Sequence, residues 1–161
     1  MEESVVSGIA HNKGEAKITV NDVPDKPGIA SRILGKISEA KIEVDMIVQN
    51  VGSQGTTDLT FTLHRRSYKR AYHILKEMQE DLAAKRIYGD TNIAKVSLVG
   101  LGMRSHSGVA SRMFAALARE GINIQVISTS EIRISVIIEE KYVELAVRCL
   151  HAEFKLHKKH A

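Results

Sequence analysis

Two short runs in this 161-residue chain have the make-up of an anion receptor. Gly28-Ile29-Ala30-Ser31-Arg32 and Gly108-Val109-Ala110-Ser111-Arg112 each follow an apolar segment and open an amphipathic one. A helix that begins at such a glycine presents unpaired N–H groups and the positive end of its dipole, which suit a carboxylate. Glycine also lets a ligand come close to the backbone. Asp25, just upstream of the first run, can accept a hydrogen bond from an ammonium group. A carboxylate receptor beside an ammonium receptor describes an amino-acid site, with Gly28, Ile29 and Ala30 as its backbone side. The same residues also fit a plain helix start, with Asp25 as the cap and Pro27-Gly28 as the turn.

Other chemistry finds little support. His11, His64, His73, His106, His151, His157 and His160 show no metal-ligand spacing, and no Ser/His/Asp order stands out. Cys149 falls on the apolar face of a predicted helix, where a buried structural thiol is expected rather than a nucleophile. Gly100-Leu101-Gly102 follows a strand pattern, but Ser105 stands where a dinucleotide loop needs its third glycine. Glu39, Glu43, Glu77 and Glu80 fall on predicted solvent faces. No catalytic residue, metal ligand or cofactor is therefore assigned.

The two glycine runs lie eighty positions apart, and the pattern around them repeats. A long repeat occurring twice implies two copies of one small domain. Ile18 and Val20 mark a strand, and Ile29, Ala30, Ile33, Leu34 and Ile37 share one helical face. Ile42, Val44 and Met46 alternate with Glu43 and Asp45 as a half-buried strand. A break at Gly52-Ser53-Gln54-Gly55 leads to a return strand with Leu59, Phe61 and Leu63. Ala71, Ile74, Leu75, Met78 and Leu82 form a second helix face, and Arg86-Ile87-Tyr88 is a weaker strand. The second copy repeats the order with Val96 and Leu98, then a helix burying Val109, Ala110, Met113, Phe114 and Leu117. Strands at Ile122-Ile124-Val126 and Ile132 to Ile138 follow, then a helix lined by Tyr142, Leu145, Ala146, Cys149 and Leu150. The order β-α-β-β-α-β is the ferredoxin-like arrangement, an α+β fold with antiparallel sheets and helices on one face.

Lys155 to Ala161 is too polar for a closing strand, whereas Val5 to Ala10 is apolar and unassigned. The expected domains are 15–92 and 93–161, with residues 4–11 supplying the second domain's edge strand. Each copy, at roughly 70–80 residues, is marginal alone, so the copies are expected to pack together or dimerise. The net charge is +4 and the pI about 9.2, concentrated in the tail and in His64-Arg65-Arg66. Scattered basicity of this kind, with three phenylalanines and no tryptophan, argues against nucleic-acid binding. One cysteine forms no intrachain disulfide, Met1-Glu2-Glu3 starts no signal sequence, and no apolar run is long enough to span a membrane. A cytoplasmic protein is expected.

Asp25-Lys26-Pro27-Gly28, Ile47-Val48-Gln49-Asn50-Val51 and Gly55-Thr56-Thr57-Asp58-Leu59-Thr60-Phe61-Thr62 closely resemble the regulatory region of aspartate kinases. Lys95 to Gly100, Ser105 to Val109 and Ile127-Ser128-Thr129-Ser130-Glu131-Ile132-Arg133-Ile134-Ser135-Val136 extend the resemblance from about Ser4 to Phe154. It implies tandem ACT domains, the small-molecule sensors of the ferredoxin-like fold, as the regulatory region or β subunit of an aspartate kinase. The family's catalytic Lys-Phe-Gly-Gly motif has no counterpart here, so the resemblance implies no activity of the chain's own.

The implied effectors are L-threonine, L-lysine or both, in feedback control of aspartate-family amino-acid synthesis. The implied partners are the kinase's catalytic domain or α subunit, and a second copy joined through the ACT domains. Carried over by motif, the first-copy site uses Asp25, Lys26, Pro27, Gly28, Ile29 and Ala30, then Val44, Asp45, Gln49 and Asn50. Asn123, Ile124, Gln125, Ser130 and Glu131 complete it at an interface, while Gly108, Val109 and Ala110 line a weaker or structural site. Arg104-Ser105-His106-Ser107 departs from the pattern by lacking an aspartate in the place of Asp25. An ACT-type sensor of another biosynthetic enzyme is the near alternative.

Overall fold

The computed structural model describes residues 6–100 and 106–155. It divides into two compact units: Gly14–Thr91, and one built from the segments on either side of it. The strands are β1 (Gly8–Pro24), β2 (Val44–Val51), β3 (Thr56–His64), β4 (Arg86–Val99), β5 (Val126–Ser130) and β6 (Arg133–Glu139). The helices are α1 (Ile29–Glu39), α2 (Tyr68–Leu82), α3 (His106–Arg119) and α4 (Val143–Glu153). Two segments expected as short strands, around Ile18 and around Arg86, are thus parts of the long strands β1 and β4. Polar residues such as Lys13-Gly14-Glu15 and Gly89-Asp90 interrupt the apolar alternation without ending the backbone ladder.

In the unit Gly14–Thr91 the strand order is β2-β3-β1-β4. Ala16, Ile18, Val20 and Val23 of β1 and Leu59, Phe61 and Leu63 of β3 form the sheet side of the core. Ile29, Ile33 and Ile37 of α1 and Ala71, Leu75 and Leu82 of α2 cover them. The first set repeats at i, i+4 and the second at spacings of four and seven, both of which stack side chains on one helical face.

In the other unit the order is β1-β4-β6-β5. Val6 joins its core, and Ser7 N–H donates to Val99 O at 2.7 Å. Val96 and Leu98 meet Val136 and Ile134 in register under Val109, Met113, Ala116 and Leu117. Ala110 and Phe114 are only partly buried there, and Ala116 takes the inward position expected for them.

The strands following α1 and α3 begin later than their alternation suggests. Lys41, in the left-handed region, donates to Ser38 O, and Ile42 N–H reaches back to Ile37 O at 3.2 Å. Gly121 and Ile122 repeat this on Ala118 O and Leu117 O. These closures are Schellman motifs, which spend the N–H groups of Ile42 and Ile122 on the helix end. Ile42 and Ile122 are therefore not strand residues, and Ile124 also precedes β5, which starts only at Val126.

Glu153 joins α4 to α3. Its carboxylate accepts from Arg119 Nη2 at 2.7 Å and Arg112 Nε at 3.1 Å, while the Arg112 guanidinium lies 4.5 Å from the Phe154 ring centroid. The hydrogen bond from Arg119 leads in holding the Glu153 carboxyl below its ordinary value of 4.5. A depressed carboxyl contributes stability above the unfolded-state pKa, and that contribution disappears as pH falls through the folded-state value. Glu153→Gln should lower the melting temperature slightly at neutral pH and flatten the acid limb of a stability–pH profile. A second expectation concerns Gly89, where an added Cβ would lie 2.5 Å from Lys17 O and 2.5 Å from the Tyr68 ring. Gly89→Ala should cost about 1–3 kcal/mol in denaturant unfolding, the range for overpacking.

Candidate functional site

The candidate residues of the first copy sit on elements whose phase is set by β3. Opposite Asp58, β1 carries an extra residue, since Val20 pairs with Leu59 but Val23 with Thr57. Asp58 Oδ1 accepts from Asp22 N–H at 2.8 Å and from Asn21 Nδ2 at 2.9 Å, stapling this bulge. Val23 thereby follows Val20 into the core, and Pro24 leads out to the loop. β2 has a matching bulge: Val44 pairs with Leu63 and Ile47 with Phe61, so Asp45 and Met46 together face Thr62. Met46 N–H donates to the Thr62 hydroxyl at 2.9 Å. At the far end of β2, the Thr57 hydroxyl donates to Asn50 O at 2.8 Å. Met46, expected to share a face with Val44, is displaced to the opposite face by this bulge and lies outside the helix-side core.

The loop between β1 and α1 is fixed at both ends. Asp25 N–H donates to Gly55 O at 2.9 Å, tying it to the β2–β3 turn. Gly28 is the N-cap of α1 at φ 91°, a left-handed conformation that strongly favours glycine. No side chain caps α1 and no acidic residue occupies its first turn, so Asp25 is not its cap. Ile29 N–H turns back to Lys26 O at 3.2 Å, and Arg32 N–H begins the helical ladder on Gly28 O. The helix geometry leaves the N–H groups of Ala30 and Ser31 without an intrahelical acceptor. Asp25, Lys26, Pro27 and Gly28 are exposed, Ala30 is half-buried, and the Ile29 side chain anchors the turn in the core.

Register decides which strand residues join this loop. Val51 pairs with Thr57, and Thr57 with Val23, so the end of β2 lies at the loop's end of the sheet. Gln49 pairs with the core residue Leu59 and thus takes the helix side of the sheet, while Asn50 takes the other side. Both are exposed. Val44 and Asp45 begin the strand at its opposite end, about 20 Å away at the usual rise per residue.

The second copy is not equivalent. α3 begins at His106, so Gly108 lies inside the helix, whereas Gly28 precedes its own. Gly108 is exposed, Val109 buried and Ala110 half-buried. Asn123 is exposed and Ile124 and Gln125 half-buried ahead of β5, with Gln125 N–H bonded to Ile137 O at 2.8 Å. Ser130 at the end of β5 and Glu131 in the turn after it are exposed, one strand length from Asn123. The segment around Gly102, Arg104 and Ser105 lies outside the described residues. Cys149 packs between the helices with its sulfur toward Ala146 O and Ala116 O, and burial leads in pushing its thiol pKa up. It is a structural thiol. Among the described residues, no group of three or more His, Cys, Asp or Glu side chains is arranged to hold a metal ion.

Residues 18–83 match the ACT domain family, and residues 96–154 match it again. A crystal structure of aspartokinase α and β subunits contains a chain covered in full by this one, at 57% identity and a TM-score of 0.89, over 94% of the present chain. The chain belongs to the aspartokinase family. It is the regulatory ACT-domain region: the ligand-free regulatory subunit of aspartate kinase from Thermus thermophilus is 37% identical with a TM-score of 0.87, covering 93% of this chain and 99% of that one. The aspartokinase of Pseudomonas aeruginosa is 64% identical over 156 residues, 97% of this chain and 38% of that protein's length. The chain thus spans little more than a third of that relative.

In this aspartokinase region, the stapling residues Asp58, Thr57 and Thr62 escape a search for ligand-binding chemistry. Their signal is three polar side chains alternating through or beside buried positions of a central strand. Asp58→Ala would leave Asp22 N–H and the Asn21 amide without their acceptor. A loss of about 1–3 kcal/mol is expected in denaturant unfolding, as for a deserted hydrogen-bond partner.

Proposed function

We propose that this chain is the feedback sensor of an aspartokinase, and that its unit Gly14–Thr91 receives a free amino acid, L-threonine, L-lysine or both. The α-carboxylate is received by the Ala30 and Ser31 N–H groups at the positive end of α1. Asp25 accepts from the ammonium group, and Gln49 approaches from the neighbouring strand. What carries this reading is the uncapped helix start at left-handed Gly28 beside Asp25, in a chain whose length matches aspartokinase regulatory subunits.

The half-site is open, and the remaining contacts come from Asn123, Ile124, Gln125, Ser130 and Glu131 of a second copy. Large apolar side chains on the edge strands favour such pairing: Ile47 and Val51 on β2 are 53% and 71% exposed, and Ile127 on β5 and Ile132 beyond it are each 47% exposed. Edge strands carrying exposed apolar residues are ready templates for association. The working unit is therefore a homodimer through its ACT domains, attached to the kinase's catalytic domain or α subunit in the cytoplasm. The effector acts by binding one arrangement of these domains better than another, which is the only way it can shift their equilibrium.

A nucleic-acid role gains little from this unit, where the sheet face opposite the helices carries, among the described residues, the hydroxyl pair Thr19 and Thr60 and the single exposed ring of Tyr88, covered at 4.7 Å by Arg86.

Titration calorimetry with threonine and lysine, singly and together, tests the proposal. Saturable binding of at least one is expected, and a folded dimer that binds neither would overturn it. Asp25→Ala should weaken binding by about 1–3 kcal/mol, the worth of a charge-assisted hydrogen bond. Unchanged affinity would remove Asp25 from the site.

A further inference from the structure

The two units treat the groove between their helices differently. Arg32 and Arg112 occupy the same place in the two glycine runs. The landmarks of α2 recur seventy-five positions later in α4: the short helical turns Arg65–Ser67 and Glu140–Tyr142, the helix starts Tyr68 and Val143, and buried Ala71 and Leu75 against Ala146 and Leu150. Met78 therefore stands where the other unit has Glu153, and Gln79 where it has Phe154. Arg112 is held within its unit by both, bound to Glu153 and lying over the Phe154 ring. Arg32 finds neither partner. Gln79 turns its amide to Ala84 O and Lys85 O at 3.2 and 3.3 Å, and Glu39, in the place of Arg119, lies 3.7 Å from Lys36.

What remains is an open groove of about 270 Å³, with Ser31, Arg32, Gly35 and Lys36 on the α1 wall and Met78 and Asp81 on the α2 wall. Among the described residues, neither the Arg32 guanidinium nor the Asp81 carboxylate makes a hydrogen bond or ion pair. Gly35 is a second, independent irregularity. It lies in the middle of α1, where glycine is less favourable than alanine, and Ala115 stands at this place in the other unit. A Cβ on Gly35 would meet nothing within 4 Å. Packing inside the unit gives no reason for glycine, whereas its bare backbone admits a close approach from outside.

The occupant follows from what is left to cover. The sheet face opposite the helices is already buried at Thr19, Met46 and Thr62, and the exposed Ile47 and Val51 of β2 are assigned above to a second chain. The chain is 38% of the length of a related aspartokinase, so a larger catalytic part needs a surface to rest on. Interfaces between domains of one protein are more polar than permanent ones, which suits a groove rimmed by unpaired charges.

We propose that the α1–α2 groove docks the kinase's catalytic part, which presents a carboxylate to Arg32 and packs against the bare backbone of Gly35. The inference rests on the reading above that the chain works attached to that part. The guanidinium fork suits such a contact, because it fixes the orientation of a carboxylate as well as attracting it.

In the whole aspartokinase, p-benzoylphenylalanine in place of Lys36 should photocross-link to a peptide of the catalytic part, identified by mass spectrometry. Cross-links only to another ACT-domain region, or none, would overturn the proposal. Met78→Glu puts back the carboxylate that the other unit uses. It should engage Arg32 internally, hold or raise the melting temperature, and cut the catalytic-part cross-link at least about fivefold. Met78→Gln, of similar size but uncharged, should leave the cross-link unchanged. An undiminished cross-link in Met78→Glu, or equal loss in both variants, would overturn the role of Arg32. Arg32→Ala, an exposed change that leaves α2 untouched, should reduce the cross-link as Met78→Glu does, and full yield there would overturn the role as well. Native mass spectrometry of the enzyme separates the two readings: no attached catalytic part defeats the assembly reading, while an attached part that never reaches the groove defeats this inference alone.

Discussion

The hydrogen bonds made by two β3 side chains govern the shape of the first ACT unit. Asp58 takes the donors released by the β1 bulge, and Thr62 takes the one released by the β2 bulge. Both bulges put two residues against one, which inverts the inward and outward faces of everything beyond them. A buried amide with no acceptor costs about 1–3 kcal/mol, so the β1 bulge without its staple would compete poorly with a regular ladder. Because β3 lies between β1 and β2, one strand sets both walls from which the Asp25–Gly28 loop and the Gln49 edge emerge.

The second unit is the same fold with different fastenings. Its β4–β6 register is unbroken, β5 is entered through the Gln125 N–H bond to the backbone oxygen of Ile137, its glycine falls within the helix rather than before it, and its helices are joined by the Arg112–Glu153–Arg119 cluster. Duplication has left two copies of a scaffold, of which one has been bent locally. Irregular backbone costs stability and persists only where the surroundings over-determine it. On the proposed reading the irregular copy receives the effector, and the regular one offers the surface that completes a partner's site.

Much of this was legible from residue types. The offset of the two glycine runs and the helical spacing of Ile29, Ile33 and Ile37 are direct consequences of a repeated ββ-and-helix core, and the α+β ferredoxin-like order follows from them. Strand boundaries were not legible, for a definable reason. Ile42 and Ile122 continue the strand alternation in sequence, but helix closure uses their N–H groups. Met46 shows the deeper limit: alternation places it beside Val44, and a bulge against Thr62, sixteen positions away, overrides that preference. The helix start at Gly28 could be read, whereas the placing of Gln49 rather than Val44 and Asp45 at the loop's end of the sheet depends on register, which no local pattern encodes.

On the proposed reading, the incompleteness of the site has a physical use. Two backbone N–H groups, one carboxylate and one amide on an exposed edge make a poor receptor for a small, strongly hydrated zwitterion. Even millimolar affinity requires about 4 kcal/mol after the loss of translational freedom and the desolvation of two charges. A complete pocket within one unit would meet that requirement and report nothing, because it would bind equally well in every arrangement of the domains. A half-site that gains its remaining contacts only across an interface ties affinity to arrangement. The contacts missing from one unit are then the source of the coupling free energy, and the same exposed edge that weakens binding in isolation makes the bound state a signal.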